Sequence, residues 1–426
     1  MRLRSLLVAL ALATHPLGAQ GDASCRFTFG PTMRVRQANG ARVYVEPDAA
    51  LMTPQGLMVL GAPTYVWRVP TGDASNMQFD QLGGKLAVDS IAGILVDTLG
   101  VATLVDLPGG VHRTRAPALL QTPDGVEAIF NANTTKHELT DTIDLRYARF
   151  AGGHWSAAQS IARILGADWD RNTHSKLVRW NGEYWVAFGL RSSSFPRILE
   201  LAMLHGGPGH WHIDTLATGV GAGSPVLRAQ STTLELFMVG ARGEAGKPDA
   251  NSLYQSSRAT SGAWTSSTRI EYGFPDGVFA PELIEKAGED LIVFRRYPSA
   301  DYVPAFVKRK EAGASEWSAS VEFDHAVRLH STFAYPMTAG DATLIVTESQ
   351  STVADTATNS GSRRLYLVTR QGVAPQDSRL GAPALLPFVG GINAAGALQL
   401  FWLSNVSADL KRGPRNETST VRMTCR

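Results

Sequence analysis

The sequence has few of the features that mark membrane, nucleic-acid-binding and disulfide-rich proteins. It contains two cysteines and 18% charged residues, with a formal net charge of +2. No stretch reaches the roughly 18 apolar residues of a membrane-spanning helix, and no long basic run is present to bind nucleic acid. The hydrophobic content of 44% and the 41 glycines instead favour a turn-rich all-β chain with a large core.

The N-terminus has the pattern of an export signal. Arg2 and Arg4 precede an apolar core at residues 6–13, and Leu17-Gly18-Ala19 resembles a cleavage site for signal peptidase. We therefore predict a signal peptide at residues 1–19 and a single domain at residues 20–426, secreted or periplasmic after cleavage near Ala19.

The two cysteines, Cys25 and Cys425, lie at opposite ends of the mature chain. In an oxidising compartment such a pair is expected to form a disulfide. It would close a loop of about 400 residues and contribute roughly 4–5 kcal/mol. The alternative is two unrelated thiols.

A unit of about 53 residues repeats between residues 116 and 380. Four repeats end in a turn and a tryptophan (Trp155, Trp211, Trp264 and Trp317), spaced by 56, 53 and 53 residues. Several repeats open on a small residue and a proline: Ala116-Pro117, Ser224-Pro225, Ala280-Pro281 and Ala382-Pro383. Strand-rich repeats of this length predict a β-propeller.

Each repeat is expected to form a four-stranded antiparallel blade, with approximate boundaries at 116–174, 175–223, 224–279, 280–330 and 331–381. In the second repeat we predict strands at 176–180, 184–190, 198–204 and 210–216, the first two joined by an Asn181-Gly182 turn. Residues 44–115 predict one further blade, with a middle strand near 65–68 and an insertion around 70–84. Residues 382–426 offer three strands, and 25–36 could supply the fourth, which gives seven blades. Six blades remain the alternative if residues 44–115 form none.

The repeat resembles the sialidase-like family of β-propellers, whose blades carry the Asp-box Ser-x-Asp-x-Gly-x-Thr-Trp in a hairpin. The resemblance depends on the spacing, the strand pattern and the tryptophans. The boxes are degenerate, since Ala148 and Phe150 occupy the Ser and Asp positions before Trp155. The resemblance implies the propeller fold and suggests sialidase-type chemistry.

The face opposite the tryptophan hairpins is the predicted ligand-binding face, because it collects the entry loops and several long polar loops. Arginines at strand ends and in the entry loops would suit a carboxylate or sulfate, which guanidinium groups bind in bidentate geometry. Sialidases hold their substrate's carboxylate with three arginines. The predicted ligand-binding residues are Arg115, His174, Arg191, Arg242, Arg295, Arg296 and His330. The alternative is that these arginines are solvated or paired with nearby acidic residues.

Hydrolysis would need a carboxylic acid near a second carboxylate, or a tyrosine activated by one. The catalytic candidates are Glu282, Tyr335 and Asp276, of which Glu282 directly follows a repeat-opening proline. His205, His210 and His212 resemble a metal cluster, but they belong to a hairpin on the other face, and we predict neither a metal nor a cofactor.

Two functions remain open at this stage. The favoured one is a non-catalytic, monomeric propeller that binds a glycan, which could be acidic, or an extracellular protein. The alternative is a glycoside hydrolase of the exo-sialidase-like type acting on acidic sugars.

Overall fold

The structure is a computed structural model. It describes residues 27–41, 43, 45–63, 66–68, 78–80, 90–108, 117–132, 142–165, 167–169, 174–191, 199–216, 221–241, 251–260, 262–273, 277–286, 288–296, 304–324, 337–339, 342–350, 361–369, 372–376, 389–393, 397–405 and 416–425. These residues form β-strands and no helix, and therefore contain no helix long and apolar enough to cross a membrane.

The described strands follow one another as a series of sheets in which the pairing is antiparallel, apart from one parallel pair. The N-terminal segment has β1 (Phe27–Phe29), β2 (Met33–Arg34) and β3 (Arg36–Gln37). Blade 1 contains β4 (Val45–Thr53), β5 (Gly56–Pro63), β8 (Ser90–Val96), β9 (Val101–Leu104) and β10 (Leu107–Pro108), and its β9 forms the parallel pair with β3. Blade 2 contains β11 (Ala118–Thr122), β12 (Gly125–Asn131), β13 (Thr142–Ala151), β14 (His154–Trp155) and β15 (Gln159–Leu165). Blade 3 contains β16 (Ala167–Asp168), β17 (Val178–Trp180), β18 (Glu183–Arg191), β19 (Leu199–Gly207) and β20 (His210–Leu216).

The remaining blades have the same pattern. Blade 4 contains β21 (Gly221–Ala229), β22 (Thr233–Ala241), β23 (Ser252–Ala259) and β24 (Thr268–Glu271). Blade 5 contains β25 (Val278–Lys286), β26 (Glu289–Arg296), β27 (Ala305–Glu311) and β28 (Val321–Asp324). Blade 6 contains β29 (Met337–Ala339), β30 (Ala342–Gln350), β31 (Gly361–Thr369) and β32 (Gly372–Gln376). Blade 7 contains β33 (Val389–Ile392), β34 (Leu398–Asn405) and β35 (Asn416–Cys425), with β1 and β2 paired to β35.

These sheets close into a ring and make the chain a β-propeller. The first strands of several neighbouring blades touch one another: β4 lies against β33 and β11, β25 against β21 and β29, and β29 against β33. Six blades are built from consecutive strands, and strands from both chain ends form a seventh sheet. The predicted pairing of the chain ends is confirmed, with Phe27 opposite Cys425 and Phe29 opposite Met423.

Hydrophobic packing between the blades forms the core. In β12 the residues 126–130 are all buried, as are residues 185–189 of β18, because each middle strand has a blade on either side. The Asn181-Gly182 hairpin turn is confirmed, and both residues have the positive φ angles (50° and 84°) that a type I′ turn requires.

One prediction differs from the structure. The segment near 65–68 is not a blade strand: β6 (Val66–Arg68) pairs only with β7 (Gln78–Asp80) in a separate two-stranded sheet. The third strand of blade 1 is β8 instead, because it has the buried apolar residues Ile91 and Ile94 that the core between blades requires. The signal peptide and Cys25 lie outside the described residues.

Candidate functional site

The inner strands of blades 4 and 5 contain the same irregularity. A bulge lies between Gly223 and Val226 in β21 and between Phe279 and Glu282 in β25. Ser224 and Ala280, the residues before the two prolines, both have a φ of 47°, in the left-handed region that residues with a Cβ seldom adopt. The repeated Ser-Pro and Ala-Pro openings therefore encode a bulge, and such a bulge reorients the residues that follow it.

Glu282 is the residue directly after the bulge in blade 5. Its counterpart in blade 4, Val226, packs into the apolar cluster between blades 4 and 5, and in blade 2 the residue after the opening proline is the buried Ala118. The Glu282 side chain instead keeps 35% of its surface exposed, and its Oε2 atom lies 3.8 Å from Lys176 Nζ. Blade 5 thus has a solvated charge where these two blades have apolar residues.

Lys176 reaches Glu282 because the first strand of blade 3 is interrupted. Both β16 and β17 pair with β18, and between them His174 forms an isolated bridge to Phe188. The segment is anchored at Ser175, whose N–H donates to Ala187 O at 2.8 Å and whose Oγ accepts from Ala187 N at 3.0 Å. The Lys176 side chain is 75% exposed. A lysine from blade 3 and a glutamate from blade 5 therefore meet across the inner strand of blade 4, beside the central channel.

A buried charged network joins blades 4 and 5 close to this pair. The Arg228 guanidinium is 3% exposed and contacts both Glu235 of its own blade and Asp290 of blade 5. Gln255 Nε2 donates to Glu235 at 3.0 Å. Burial lowers the pKa of Arg228, but hydrogen bonding to Asp290 and the charge of Glu235 outweigh it, so that the net shift is upward. Arg228 therefore remains charged and bound to its two carboxylates.

Glu285 lies on β25 three residues after Glu282. Desolvation raises its pKa, Arg228 lowers it, and Asp290 and Glu235 raise it, so that the net shift is upward although the side chain keeps contact with solvent. Lys176 also lowers the pKa of Glu285, which places its ammonium within the electrostatic reach of both glutamates.

Of the predicted arginines, those whose side chains the structure describes lie within or between blades. Arg295 is 3% exposed. Arg296 Nη2 binds the Glu271 carboxylate and donates to Tyr272 O at 3.1 Å, while Lys308 Nζ binds Glu271 at 2.7 Å. Arg296 therefore joins the outer strand of blade 4 to blade 5, which agrees with the alternative of pairing to nearby acidic residues.

The other predicted site residues are described in part or not at all. His174 is half-buried: its ring stacks on Trp169 at 4.4 Å, and its Nδ1 lies 2.9 Å from Ser175 O. Arg191 ends β18, but its side chain lies outside the described residues. The remaining predictions that lie outside them are Arg115, Arg242, Asp276, His330 and Tyr335.

His205 of the histidine cluster contacts side chains of its own blade. His205 stacks on Trp185 at 4.3 Å, and its two ring nitrogens lie 3.1 Å from Glu183 and Asp214. No group of three or more metal-ligating side chains occurs among the described residues. His205 thus connects three neighbouring strands of blade 3.

Lys176 was not predicted from the sequence. Lys176 follows Ser175 at the position where the next two repeats have Pro225 and Pro281. A charged residue in place of the repeat-opening proline was the signal that could have identified it. Its pairing with Glu282 depends on how blades 3, 4 and 5 are arranged in the ring.

Comparison with known proteins supports the fold. No family model matches the chain, and no curated protein is similar enough in sequence to count as a relative. A Dyadobacter fermentans protein of unknown function is similar in structure, with a TM-score of 0.50, 11% identity and coverage of 94% of this chain and 99% of that one. A Penicillium chrysogenum α-L-arabinanase has a TM-score of 0.45 at 11% identity and covers 72% of this chain and 93% of its own. An ulvan lyase has a TM-score of 0.47 at 10% identity, and the likeness covers 78% of this chain and 81% of the lyase. At 11% identity the likeness to the Dyadobacter protein concerns the fold alone. None of these likenesses singles out the sialidase-like family.

Proposed function

We propose that this chain is a carbohydrate-binding β-propeller that receives a glycan at its central channel, where Lys176 and Glu282 contact the sugar. The observation that carries the proposal is the solvated charge of Glu282 at a position where blades 2 and 4 have Ala118 and Val226.

Stability alone does not account for this pair. An exposed ion pair contributes about 0–1 kcal/mol, and a separation of 3.8 Å with a 75% exposed lysine is at the weak end of that range. The buried pairs of Arg228 and Arg296, in contrast, join neighbouring blades. A charge that the ring does not need, placed beside its channel, is available for a ligand.

The chemistry of the pair suits a polyhydroxylated ligand. A carboxylate accepts hydrogen bonds and an ammonium group donates up to three, so that together they can bind neighbouring sugar hydroxyls in fixed orientation. Charge-assisted hydrogen bonds of this kind are about twice as strong as neutral ones.

A glycoside hydrolase is the second candidate. In its favour, Glu285 has a raised pKa and lies on the same strand as Glu282, which is the pattern of an acid near an ionised partner. Against it, residues three apart on a strand point to opposite faces, so the two carboxylates do not face a common bond. Binding is therefore the better supported function.

The test is binding to a panel of oligosaccharides, measured by calorimetry on the full mature chain and on Glu282→Gln and Lys176→Ala. We expect each variant to lose at least tenfold in affinity. Glu316→Gln is the matched control, since Glu316 is an exposed glutamate on the tryptophan hairpin of blade 5. Unchanged affinity in both channel variants would refute the proposal. Turnover of aryl glycosides that is lost in Glu285→Gln would favour the hydrolase.

A further inference from the structure

We infer that the channel site prefers uncharged sugars to sugars that carry a carboxylate. This inference rests on the proposed function. It concerns the substrate class, for which the sequence had suggested acidic sugars because of the arginines at the strand ends.

The first argument is that the described cations near the site already bind carboxylates. Lys176 lies against Glu282, and Arg228 against Glu235 and Asp290. Farther from the channel, Arg296 and Lys308 share Glu271. A sugar carboxylate at Lys176 would therefore share the ammonium with Glu282 and meet the negative charge of that glutamate.

The second argument is the local balance of charge. Among the residues that the structure describes here, four carboxylates (Glu235, Glu282, Glu285 and Asp290) lie around two cations, Lys176 and Arg228. The ionised cluster therefore has an excess of negative charge. Since like charges repel, an incoming carboxylate is disfavoured.

Glu285, on the opposite face of β25 from Glu282, shows what a carboxylate experiences beside the same two cations. Its side chain keeps contact with solvent, and both cations lower its pKa, but the net pKa shift is upward. The surroundings therefore favour the neutral form of a carboxyl group. A sugar hydroxyl carries no charge and is spared this cost.

The pair also determines how the preference could be changed. In Glu282→Gln the Lys176 ammonium would lose its carboxylate and become available to a ligand, while the side chain would keep its size and an acceptor oxygen. The loss of one negative charge and the release of one cation both favour an acidic sugar. Glu282 is thus the residue expected to determine the preference.

The experiment compares pairs of linear oligosaccharides with the same linkage, one of hexose units and one of the corresponding hexuronic acids. For the wild-type protein at low salt we expect the neutral member of a pair to bind at least tenfold more tightly, with a difference that narrows as salt screens the charges. In Glu282→Gln the affinity for the neutral member, divided by that for the acidic member, should fall by about tenfold or drop below one. In Lys176→Met this ratio should rise, and in the control Glu316→Gln it should not change.

The outcomes separate the two proposals. Tighter binding of the acidic member by the wild-type protein, or an unchanged ratio in both channel variants, would overturn the preference and leave glycan binding intact. Absence of binding to either member across the panel would overturn the proposed function itself. If Glu282→Gln does not fold, as judged by circular dichroism, the rise expected for Lys176→Met decides the question.

Discussion

The indole of Trp155 donates its N–H to the backbone oxygen of Val105 at 2.8 Å, and so joins blade 2 to the strand region of blade 1 that precedes it. Trp317 has the equivalent role in blade 5, where its indole donates to Gln255 of blade 4 at 3.1 Å. The tryptophans that mark the repeat therefore connect each of these blades to the preceding one.

This connection predicts a graded loss of stability at Trp155. Trp155→Phe should lower the free energy of unfolding by about 1–3 kcal/mol, because it leaves the buried Val105 carbonyl without its donor. Trp155→Ala should cost about 3–5 kcal/mol, because it also removes the packing on Phe150. Denaturant titration of the two variants measures the difference. Equal losses would show that the hydrogen bond contributes nothing.

A second prediction concerns Glu271, which accepts from Arg296, Lys308 and Ser320. Glu271 is only 8% exposed, and Glu271→Gln would leave two cations there without their shared anion. This change should lower the free energy of unfolding by about 3–5 kcal/mol. Glu311→Gln, an exposed glutamate at the end of β27, serves as the control and should change stability by at most about 0.5 kcal/mol. Indistinguishable unfolding curves for the two variants would contradict this account.

A third prediction concerns Tyr147, whose hydroxyl donates to the buried carboxylate of Glu127. Burial raises the pKa of Tyr147, and its hydrogen bond to Glu127 raises it further. Tyr147 therefore remains a protonated donor, unlike a tyrosine activated as a nucleophile. We expect Tyr147→Phe to cost about 1–3 kcal/mol in free energy of unfolding, because the glutamate loses a donor.

The matched control for Tyr147→Phe is Tyr272→Phe. Tyr272 is 41% exposed, and phenylalanine keeps the ring over which Arg269 lies at 4.8 Å. Any effect of this control larger than that of Tyr147→Phe would argue against a structural role for the bond to Glu127.

A fourth prediction follows from the raised pKa of Glu285. The unfolded chain ionises this group near pH 4, whereas the folded protein resists ionisation, so the fold loses stability as the pH rises through the folded pKa. Glu285→Gln removes this penalty. It should therefore raise the free energy of unfolding at pH 7, by about 0.5 kcal/mol or less for a solvated site, and have no such effect below pH 4.

The measurement is a series of denaturant titrations between pH 3 and pH 8, with Glu316→Gln as the reference for a glutamate outside the channel. A destabilised Glu285→Gln variant at neutral pH would show that Arg228 and Lys176 outweigh the desolvation of Glu285.

A fifth prediction concerns the two cysteines. Cys425 lies opposite Phe27 in the sheet that joins the chain ends, and we propose that Cys25 and Cys425 form a disulfide beside it. Thiol titration of the unfolded, unreduced protein should then find no free thiol, and two after reduction. Cys425→Ser should lower the free energy of unfolding by about 2–5 kcal/mol. Two free thiols before reduction would exclude the bond.

The predictions from sequence were most successful where the pattern is local. The Asn181-Gly182 turn needs only the two residues that tolerate positive φ, and the strands of blade 3 follow from apolar residues and turns a few positions apart. The strand near 65–68 was assigned to a blade incorrectly, because its β pattern does not specify whether it pairs with the blade or with a hairpin partner.

The candidate site was predictable only in part. Glu282 was recognisable because it follows a repeat-opening proline, whereas Lys176 was not, since nothing within its own repeat relates it to blade 5. The strand-end position of Arg296 suggested ligand binding, but its partner Glu271 lies on the neighbouring blade. Both pairings form between blades, and only the assembled structure specifies them.

The sequence by itself determined the periodic elements: the spacing of Trp155 and its counterparts, the proline bulges and the strands at both chain ends that close the ring. The tertiary structure decided which charges connect blades and which face the channel. The physical reason is that a turn or a strand depends on residues that are neighbours in sequence. The meeting of Lys176 with Glu282 depends instead on the curved arrangement of blades 3, 4 and 5, which brings together side chains from blades that are not adjacent.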